Sequence, residues 1–199
     1  MTEYRSTRPM TDTTREALLD MMTRTKSIIR SDKPLTLSSG RRSNTYVDLR
    51  RLMADPAGAC MAASAVHRIV LGDVPHARSI GGMATGAVAL ATAVSMHSWL
   101  GSLMDSNVPT VTSFYVRKPK GHGMGREIEG IARGPAVVVD DVVTSGKSIL
   151  GAHEAITRAG IECRHAACLV FRGTDADRER IESGLRFEAV LTEDDLPDA

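Results

Sequence analysis

Short apolar runs that alternate with helical spacings predict a chain of alternating strands and helices. The runs at 111–116, 136–139, 166–171 and 187–191 are too short for helices, and each contains β-branched or aromatic residues, which favours buried strands. Such an order is typical of an α/β fold with a mostly parallel central sheet flanked by helices and right-handed crossovers. We therefore expect ligands beyond the carboxyl ends of the strands.

Three stretches between these runs carry apolar residues at helical spacing. Asp55 is a suitable N-cap and Pro56 suits the first helical position, so a helix is predicted over the apolar positions 61–70. A second helix, rich in Ala and Val, follows Gly86. A third runs from Ile149 to Ala159 and is closed by Gly160.

The first 50 residues or so predict a small hood over the sheet. Thr13 and Glu16 form a capping box, and Pro34 is expected to end the helix that follows. The apolar face of that helix would be Leu18, Met21, Met22, Ile28 and Ile29. Segment 35–50 alternates around Ser38-Ser39-Gly40, which predicts a hairpin. Taken alone, this basic hairpin would be a solvated surface element.

The candidate chemistry centres on AVVVDDVVTSGKS, residues 136–148. Here an apolar strand is expected to end at Asp140 and Asp141, followed by a small hydroxyl-rich turn and a new helix. The unpaired amides of a helix N-terminus bind anions. The adjacent carboxylates can accept hydrogen bonds from sugar hydroxyls or help to hold a divalent cation. The stretch therefore suits a phosphorylated sugar.

Two other interpretations of this stretch are open. Gly146-Lys147-Ser148 resembles the end of a nucleotide-binding P-loop, but that loop needs a glycine at position 141, where the chain has Asp. Alternatively, the two acids only end a strand and cap a helix. The strand, acids, turn and helix together favour the phosphorylated sugar.

Two further loops have a composition suited to anions. Residues 81–86, GGMATG, form a glycine-rich turn that lets backbone amides approach a diphosphate, although the spacing differs from that of dinucleotide sites. Residues 117–126 mix cations with glycines, which is usual in solvated basic loops. A mobile cationic loop of this kind could also close over a leaving pyrophosphate.

Composition narrows the function classes. A chain of 199 residues with 42% hydrophobic residues fits one domain, 1–199. The net charge of +1 gives no reason to expect a nucleic-acid or membrane partner. No apolar run predicts a membrane-spanning helix, so a cytoplasmic protein is expected. Cys60, Cys163 and Cys168 lack metal-ligand spacing and are predicted to be core thiols.

The central stretch resembles the 5-phosphoribosyl-1-pyrophosphate (PRPP) motif of type I phosphoribosyltransferases. The resemblance implies the fold of that family, a Mg²⁺ cofactor held mainly by PRPP with Asp141 as protein ligand, and catalytic roles for Asp140 and Asp141. It also implies that Thr85 of the pyrophosphate loop contacts PRPP. The implied PRPP-binding residues of the central motif are Asp140, Asp141, Val142, Val143, Thr144, Ser145, Gly146, Lys147 and Ser148.

Two further strings resemble orotate phosphoribosyltransferases. The string around 38–46 resembles the family's base-binding signature, and the loop 117–126 resembles its catalytic loop with one residue fewer between the lysines. The implied orotate-binding residues are Ser38, Ser39, Gly40, Tyr46, Thr144 and Arg172, and Ser43 and Thr45 also match the signature. The implied loop residues that bind PRPP are Arg117, Lys118, Lys120 and His122, of which the last three are catalytic.

The resemblance therefore implies an enzyme that joins orotate to PRPP in pyrimidine biosynthesis. It implies a homodimer as well, because in that family the loop 117–126 is donated across the dimer interface. A phosphoribosyltransferase for another base, or a PRPP-binding regulator without activity, would keep the central motif. Neither alternative is expected to keep both the hairpin signature and the Lys-x-His loop.

Overall fold

The computed structural model describes residues 12–36, 40, 42–117 and 127–197 and confirms the α/β class. The strands are β1 Ile28–Thr36, β2 Arg42–Val47, β3 Ser79–Met83, β4 Thr112–Val116, β5 Ile128–Gly130, β6 Ala136–Val143, β7 Cys163–Phe171 and β8 Arg186–Thr192. The helices are α1 Asp12–Arg24, α2 Leu49–Ala54, α3 Pro56–Asp73, α4 Gly86–Met104, α5 Lys147–Arg158 and α6 Asp175–Glu182. A 3₁₀ turn, Glu193–Asp195, follows β8.

The central sheet has the order β5-β4-β3-β6-β7-β8, and only the edge strand β5 is antiparallel to its neighbour. The chain moves outward from β3 to β4 on one side and from β6 to β8 on the other. The crevice between β3 and β6 is therefore the point where the winding reverses, and open α/β sheets bind their ligands at such points.

Strand β6 shows why the sheet is buried on both faces. Val137 and Val139 pack into the layer that contains α1 to α4, whereas Ala136 and Val138 pack into the layer of α5 and α6. The sequence of a strand that is buried on both faces is a continuous apolar run. This is the pattern from which β6 was predicted.

The hood differs from its prediction. Helix α1 starts at Asp12, so Thr13 lies inside it and the predicted capping box is wrong. The helix also ends at Arg24, ten residues before Pro34, and Ile28 and Ile29 lie in β1 instead of on a helical face. Antiparallel pairing of β1 with β2 supplies these residues with backbone partners, and this tertiary preference overrides the helical spacing.

Three shorter segments also depart from expectation. Strand β6 continues through both acids to Val143, because β7 pairs with it along this length. The acidic segment after β8, for which the sequence predicts no regular element, forms a 3₁₀ turn whose Asp195 accepts hydrogen bonds from Thr192. Cys60 is exposed, so only two of the three predicted core thiols are buried.

Helix α4 is long and apolar enough, by length and composition, to cross a membrane, contrary to the sequence prediction. Its buried residues Ala87, Leu90, Ala91 and Val94 belong to the core, and the helix packs on β3, β4 and β6. Its second half leaves Trp99, Leu103 and other apolar side chains exposed. Within the described residues α4 therefore forms part of the helical layer over the sheet.

Candidate active site

A cavity of about 480 Å³ opens at the crevice between β3 and β6. It joins the hood hairpin, the turn after β3, the end of β6 and the end of β7. Its lining residues are Thr36, Tyr46, Val47, Asp48, Leu49, Arg50, Thr85, Gly86, Asp141, Val142, Thr144 and Arg172. Segments far apart in the chain thus converge on a single site.

The predicted phosphate loop adjoins this cavity. Residues 142–149 and Asp140 enclose a smaller hollow of about 140 Å³. Gly146 caps α5 with a φ of +75°, and a Cβ at this position would meet the side chain of Ile181 at 2.6 Å. The turn therefore requires glycine. Arg180 of α6 donates to the Ser145 carbonyl oxygen at 3.1 Å and so braces the loop from outside.

The two acids lie at the floor of the site, against the N-terminus of α4. A Cβ at Gly86 would come within 2.5 Å of Asp141 Oδ1 and 2.9 Å of Asp140 Oδ1. The backbone of the turn after β3 therefore touches both carboxyl groups. Since that turn is the predicted pyrophosphate loop, the structure brings together the groups expected to hold ribose and pyrophosphate.

The acids differ in their environment. Asp140 is buried, and burial together with the neighbouring charge of Asp141 raises its pKa well above the usual range. Asp141 is only half-buried and faces the cavity. Hydrogen bonds from the Asp141 amide to Asp140 Oδ1 (3.1 Å) and from the Val142 amide to Asp141 Oδ1 (2.8 Å) fix both side chains.

The described residues contain no group of three or more His, Cys, Asp or Glu side chains that could hold a metal ion. The half-buried carboxylate of Asp141, which lines the cavity, fits a Mg²⁺ ion whose other oxygen ligands come from a phosphorylated substrate and water. The site thus suits a metal that arrives with its substrate.

Arg172 follows β7 and reaches the cavity from the opposite side to Gly86. It is 2% exposed. Its guanidinium donates to Glu193 Oε1 at 2.7 Å and Oε2 at 3.0 Å, to the Thr45 carbonyl oxygen at 3.0 Å and to Ser43 Oγ at 3.1 Å. A buried guanidinium needs such partners, because an uncompensated charge in the interior is costly.

Arg117 stands at the base of the predicted catalytic loop. It forms an ion pair with Glu129 of β5, and the Tyr115 hydroxyl donates to the other Glu129 oxygen at 3.2 Å. These contacts anchor the first residue of the loop to the sheet edge. Lys118, Lys120 and His122 lie outside the described residues, as do Ser38 and Ser39 of the hairpin turn.

Most predicted site residues that the structure describes do converge. Thr85, Tyr46, Thr144 and Arg172 line one cavity with Asp141, and Lys147 and Ser148 lie in the phosphate loop. Gly40, in contrast, is exposed in the hairpin turn with a φ of +85°, and it is not among the lining residues of this cavity.

Sequence reasoning missed Glu193 and the pair Asp48 and Arg50. Arg50 lines the cavity, and its Nε donates to Asp48 Oδ1 at 2.6 Å, which lowers the pKa of Asp48. A buried arginine implies a counter-charge, so Arg172 itself was a signal that an acid lay nearby. Nothing in the sequence specified that Glu193 would supply it.

The cavity between β3 and β6, the acidic pair and the phosphate loop define the chain as a phosphoribosyltransferase of the type I fold. It is 36% identical over 162 residues to the orotate phosphoribosyltransferase of Rhodopseudomonas palustris (strain BisB5), covering 78% of this chain and 83% of the relative. It is 40% identical over 161 residues to that of Aquifex aeolicus (strain VF5), covering 79% and 83%. The chain belongs to the orotate phosphoribosyltransferase family and is a pentosyltransferase.

Solved structures agree with this assignment. The orotate phosphoribosyltransferase of Mycobacterium tuberculosis H37Rv, in complex with Fe(III) dicitrate, aligns with a TM-score of 0.72 at 32% identity over 93% of this chain and 99% of that one. The same enzyme in complex with PRPP aligns with a TM-score of 0.68 at 28% identity over 92% and 98%. No family model matches the chain.

Proposed function

We propose that the chain transfers the 5-phosphoribosyl group of PRPP to orotate, giving orotidine 5′-monophosphate and pyrophosphate in pyrimidine biosynthesis. The observation that carries the proposal is the single cavity of about 480 Å³ that joins the hairpin, the turn before α4, the acidic pair and Arg172. Relatives named for this activity, one of them solved with PRPP, support it.

The donor would lie across β3 and β6. The amides and hydroxyls of 142–148 suit the 5′-phosphate, because a helix N-terminus stabilises negative charge. Asp140 and Asp141 suit the ribose hydroxyls, whose hydrogens they can accept. The Thr85 hydroxyl and the first amides of α4 suit the pyrophosphate.

The acceptor would lie under the hood, between Tyr46 and Arg172. Orotate is a flat, anionic base, and its ring nitrogen needs no strong general base once the ribosyl centre becomes cationic. Bond breaking ahead of bond making gives an oxocarbenium-like centre, as in glycoside chemistry. Catalysis is then mainly positioning and charge stabilisation.

Negative charge develops on the pyrophosphate as it leaves, and nearby cations would stabilise it. We assign this role to Lys118, Lys120 and His122 of the loop anchored by Arg117, and Mg²⁺ would add charge neutralisation when bound with PRPP. We also propose a homodimer in which the loop of each protomer completes the site of its partner, and a cytoplasmic location.

The test follows orotate absorbance on mixing with PRPP and Mg²⁺, with uracil, hypoxanthine and adenine as alternative acceptors. We expect orotate consumption that requires PRPP, falls at least about 100-fold in Lys120→Ala and persists in Arg164→Ala, a surface cation at the far end of β7. Ribosylation of another base would contradict the acceptor assignment. PRPP binding without any reaction would instead indicate a regulator.

The shared loop has its own test. Lys120→Ala and Asp140→Asn would be mixed under conditions that allow subunits to exchange. If the loop crosses the interface, mixed dimers contain one site with neither change, so activity returns. A mixture that stays inactive while exchange is verified by mass would place the loop on its own subunit.

A further inference from the structure

The end of the described chain reaches back to the hood. Asp195 forms an ion pair with Arg15 of α1 at 3.9 Å, Arg30 of β1 donates to the Pro197 carbonyl oxygen, and Arg15 donates to the Val190 carbonyl oxygen at 3.0 Å. The turn after β8 therefore supports the hood from outside the cavity. Its strongest contact to the cavity wall runs through Glu193 and Arg172.

Both carboxylate oxygens of Glu193 accept hydrogen bonds from the guanidinium of Arg172, one from Nη2 and one from Nε. This bidentate arrangement fixes the plane of the guanidinium as well as its position. The side chain of Arg172 is 1% exposed and that of Glu193 is 38% exposed. The acid is thus the solvent-side anchor of a buried cation.

The other edge of the same guanidinium holds the hairpin. Nη1 donates to the Thr45 carbonyl oxygen and Nη2 donates to Ser43 Oγ. Tyr46, which lines the cavity, follows directly in β2. Four of the five guanidinium N–H groups are therefore used by Glu193 and the hairpin, which leaves one with no partner among the described residues.

We infer that Glu193 is a positioning residue for the acceptor base, acting through Arg172 on the hairpin wall formed by 43–47. The inference rests on the proposed orotate acceptor. Without Glu193 the guanidinium has a buried charge and two unmet donors, so it must turn toward solvent or other acceptors. Either movement releases Ser43 and Thr45 and displaces the wall. The displacement should therefore be largest in the hairpin wall and smaller in the acidic pair and the phosphate loop.

The kinetic test compares Glu193→Ala with Asp194→Ala, which removes the same charge from the neighbouring, exposed position of the same turn. We expect Glu193→Ala to raise KM for orotate about tenfold, with KM for PRPP and kcat within about twofold. Glu193→Asp, which keeps the charge, should recover part of the loss. Asp194→Ala should match the parent.

A structural readout separates this inference from the proposed function. Amide hydrogen exchange should accelerate in 42–47 of Glu193→Ala but not in 142–148, and neither segment should change in Asp194→Ala. If the parent does not consume orotate, the proposed function fails, while exchange still reports whether Glu193 holds the hairpin. Unchanged exchange in 42–47, or an equal rise in both KM values, overturns the inference.

Ser43→Ala provides a milder variant should Glu193→Ala fold poorly. It removes one hairpin contact of Arg172 and leaves the ion pair intact. Because both residues act through Arg172, the effects of Ser43→Ala and Glu193→Asp on orotate KM should be non-additive. Strict additivity would show that they act independently and would overturn the inference.

Discussion

The donor and acceptor sides of the cavity are built in different ways. Most of the donor side is one continuous segment, β6, the phosphate loop and the N-terminus of α5, in which the hydrogen bonds that fix the acids join the neighbouring residues Asp140, Asp141 and Val142. The acceptor side is the hairpin wall, which Arg172 holds across 127 and 129 residues of sequence. One side is mostly local and the other depends on distant segments.

Because of this difference, we expect substitutions to affect the two sides from different parts of the structure. Under the proposed function, a change on the donor side alters groups that would contact the sugar or its phosphates directly. A change on the acceptor side can act from the solvent side of the hood, through one buried guanidinium. Variants that separate KM for PRPP from KM for orotate therefore test whether the two sides are independent.

The largest effect is expected for Asp140→Asn. We predict that kcat/KM for PRPP falls about 10²- to 10³-fold, because the ribose loses a carboxylate acceptor, while KM for orotate changes less than about twofold. The melting temperature should hold or rise, because the neutral amide removes both the cost of burying a carboxylate and its repulsion from Asp141. Steady-state kinetics and thermal unfolding measure both.

Asp20→Asn in the exposed part of α1 is the matched control and should leave all values unchanged. A near-normal kcat/KM for PRPP in Asp140→Asn would show that Asp140 does not contribute to the donor side. A large rise in KM for orotate would show instead that the two sides are coupled.

Protonation of His67, in the helical layer away from the cavity, provides a control. It tests whether a general loss of stability changes the KM values in the same way as a change on the donor or acceptor side. Burial and the neighbouring His97 lower the pKa of His67 to about 4, so it stays neutral in the folded chain while an unfolded histidine takes up a proton near 6.5. The contribution of His67 to the free energy of unfolding should be constant above about pH 7 and fall by about 2–3 kcal/mol as pH drops from 6.5 to 4.

Denaturant unfolding across this range measures the effect. His67→Phe should flatten the pH dependence and His76→Phe, at an exposed position, should not. A parent and a His67→Phe variant with the same pH dependence of stability between pH 6.5 and 4 would contradict the buried neutral histidine. At pH 7 neither variant should separate the two KM values.

A smaller effect is expected for Gly86→Ala. The new methyl group would lie 2.5 Å from Asp141 Oδ1, so the turn before α4 must shift. We predict a rise in KM for PRPP of about tenfold and a loss of about 1–2 kcal/mol in the free energy of unfolding. KM for orotate should stay within about twofold.

Gly151→Ala is its matched control, because a Cβ at that helical position meets nothing within 4 Å. It should stabilise the chain by about 0.5–1 kcal/mol and leave both KM values unchanged. If Gly86→Ala behaves in the same way, the turn before α4 is roomier than the structure shows and does not confine the pyrophosphate.

The two sides also differ in how far the sequence predicts them. Residues 136–148 specify the donor side because strand, acids, turn and helix follow one another, and only the strand end was placed too early. The hairpin was predicted, but its first strand was mistaken for helix, because pairing between β1 and β2 has no local signal. Glu193 could not be found, since its role depends on a partner 21 residues away that folding brings to it.

The reach of Arg172 has a consequence for the order of folding. Loop closure over 127 residues costs more entropy than the local contacts of β6 and α5, so contacts of this range tend to form late. We expect the parallel sheet and its phosphate loop to assemble first and the hairpin to dock afterwards. During this interval the molecule would be able to hold a sugar phosphate before it has a surface that can select a base.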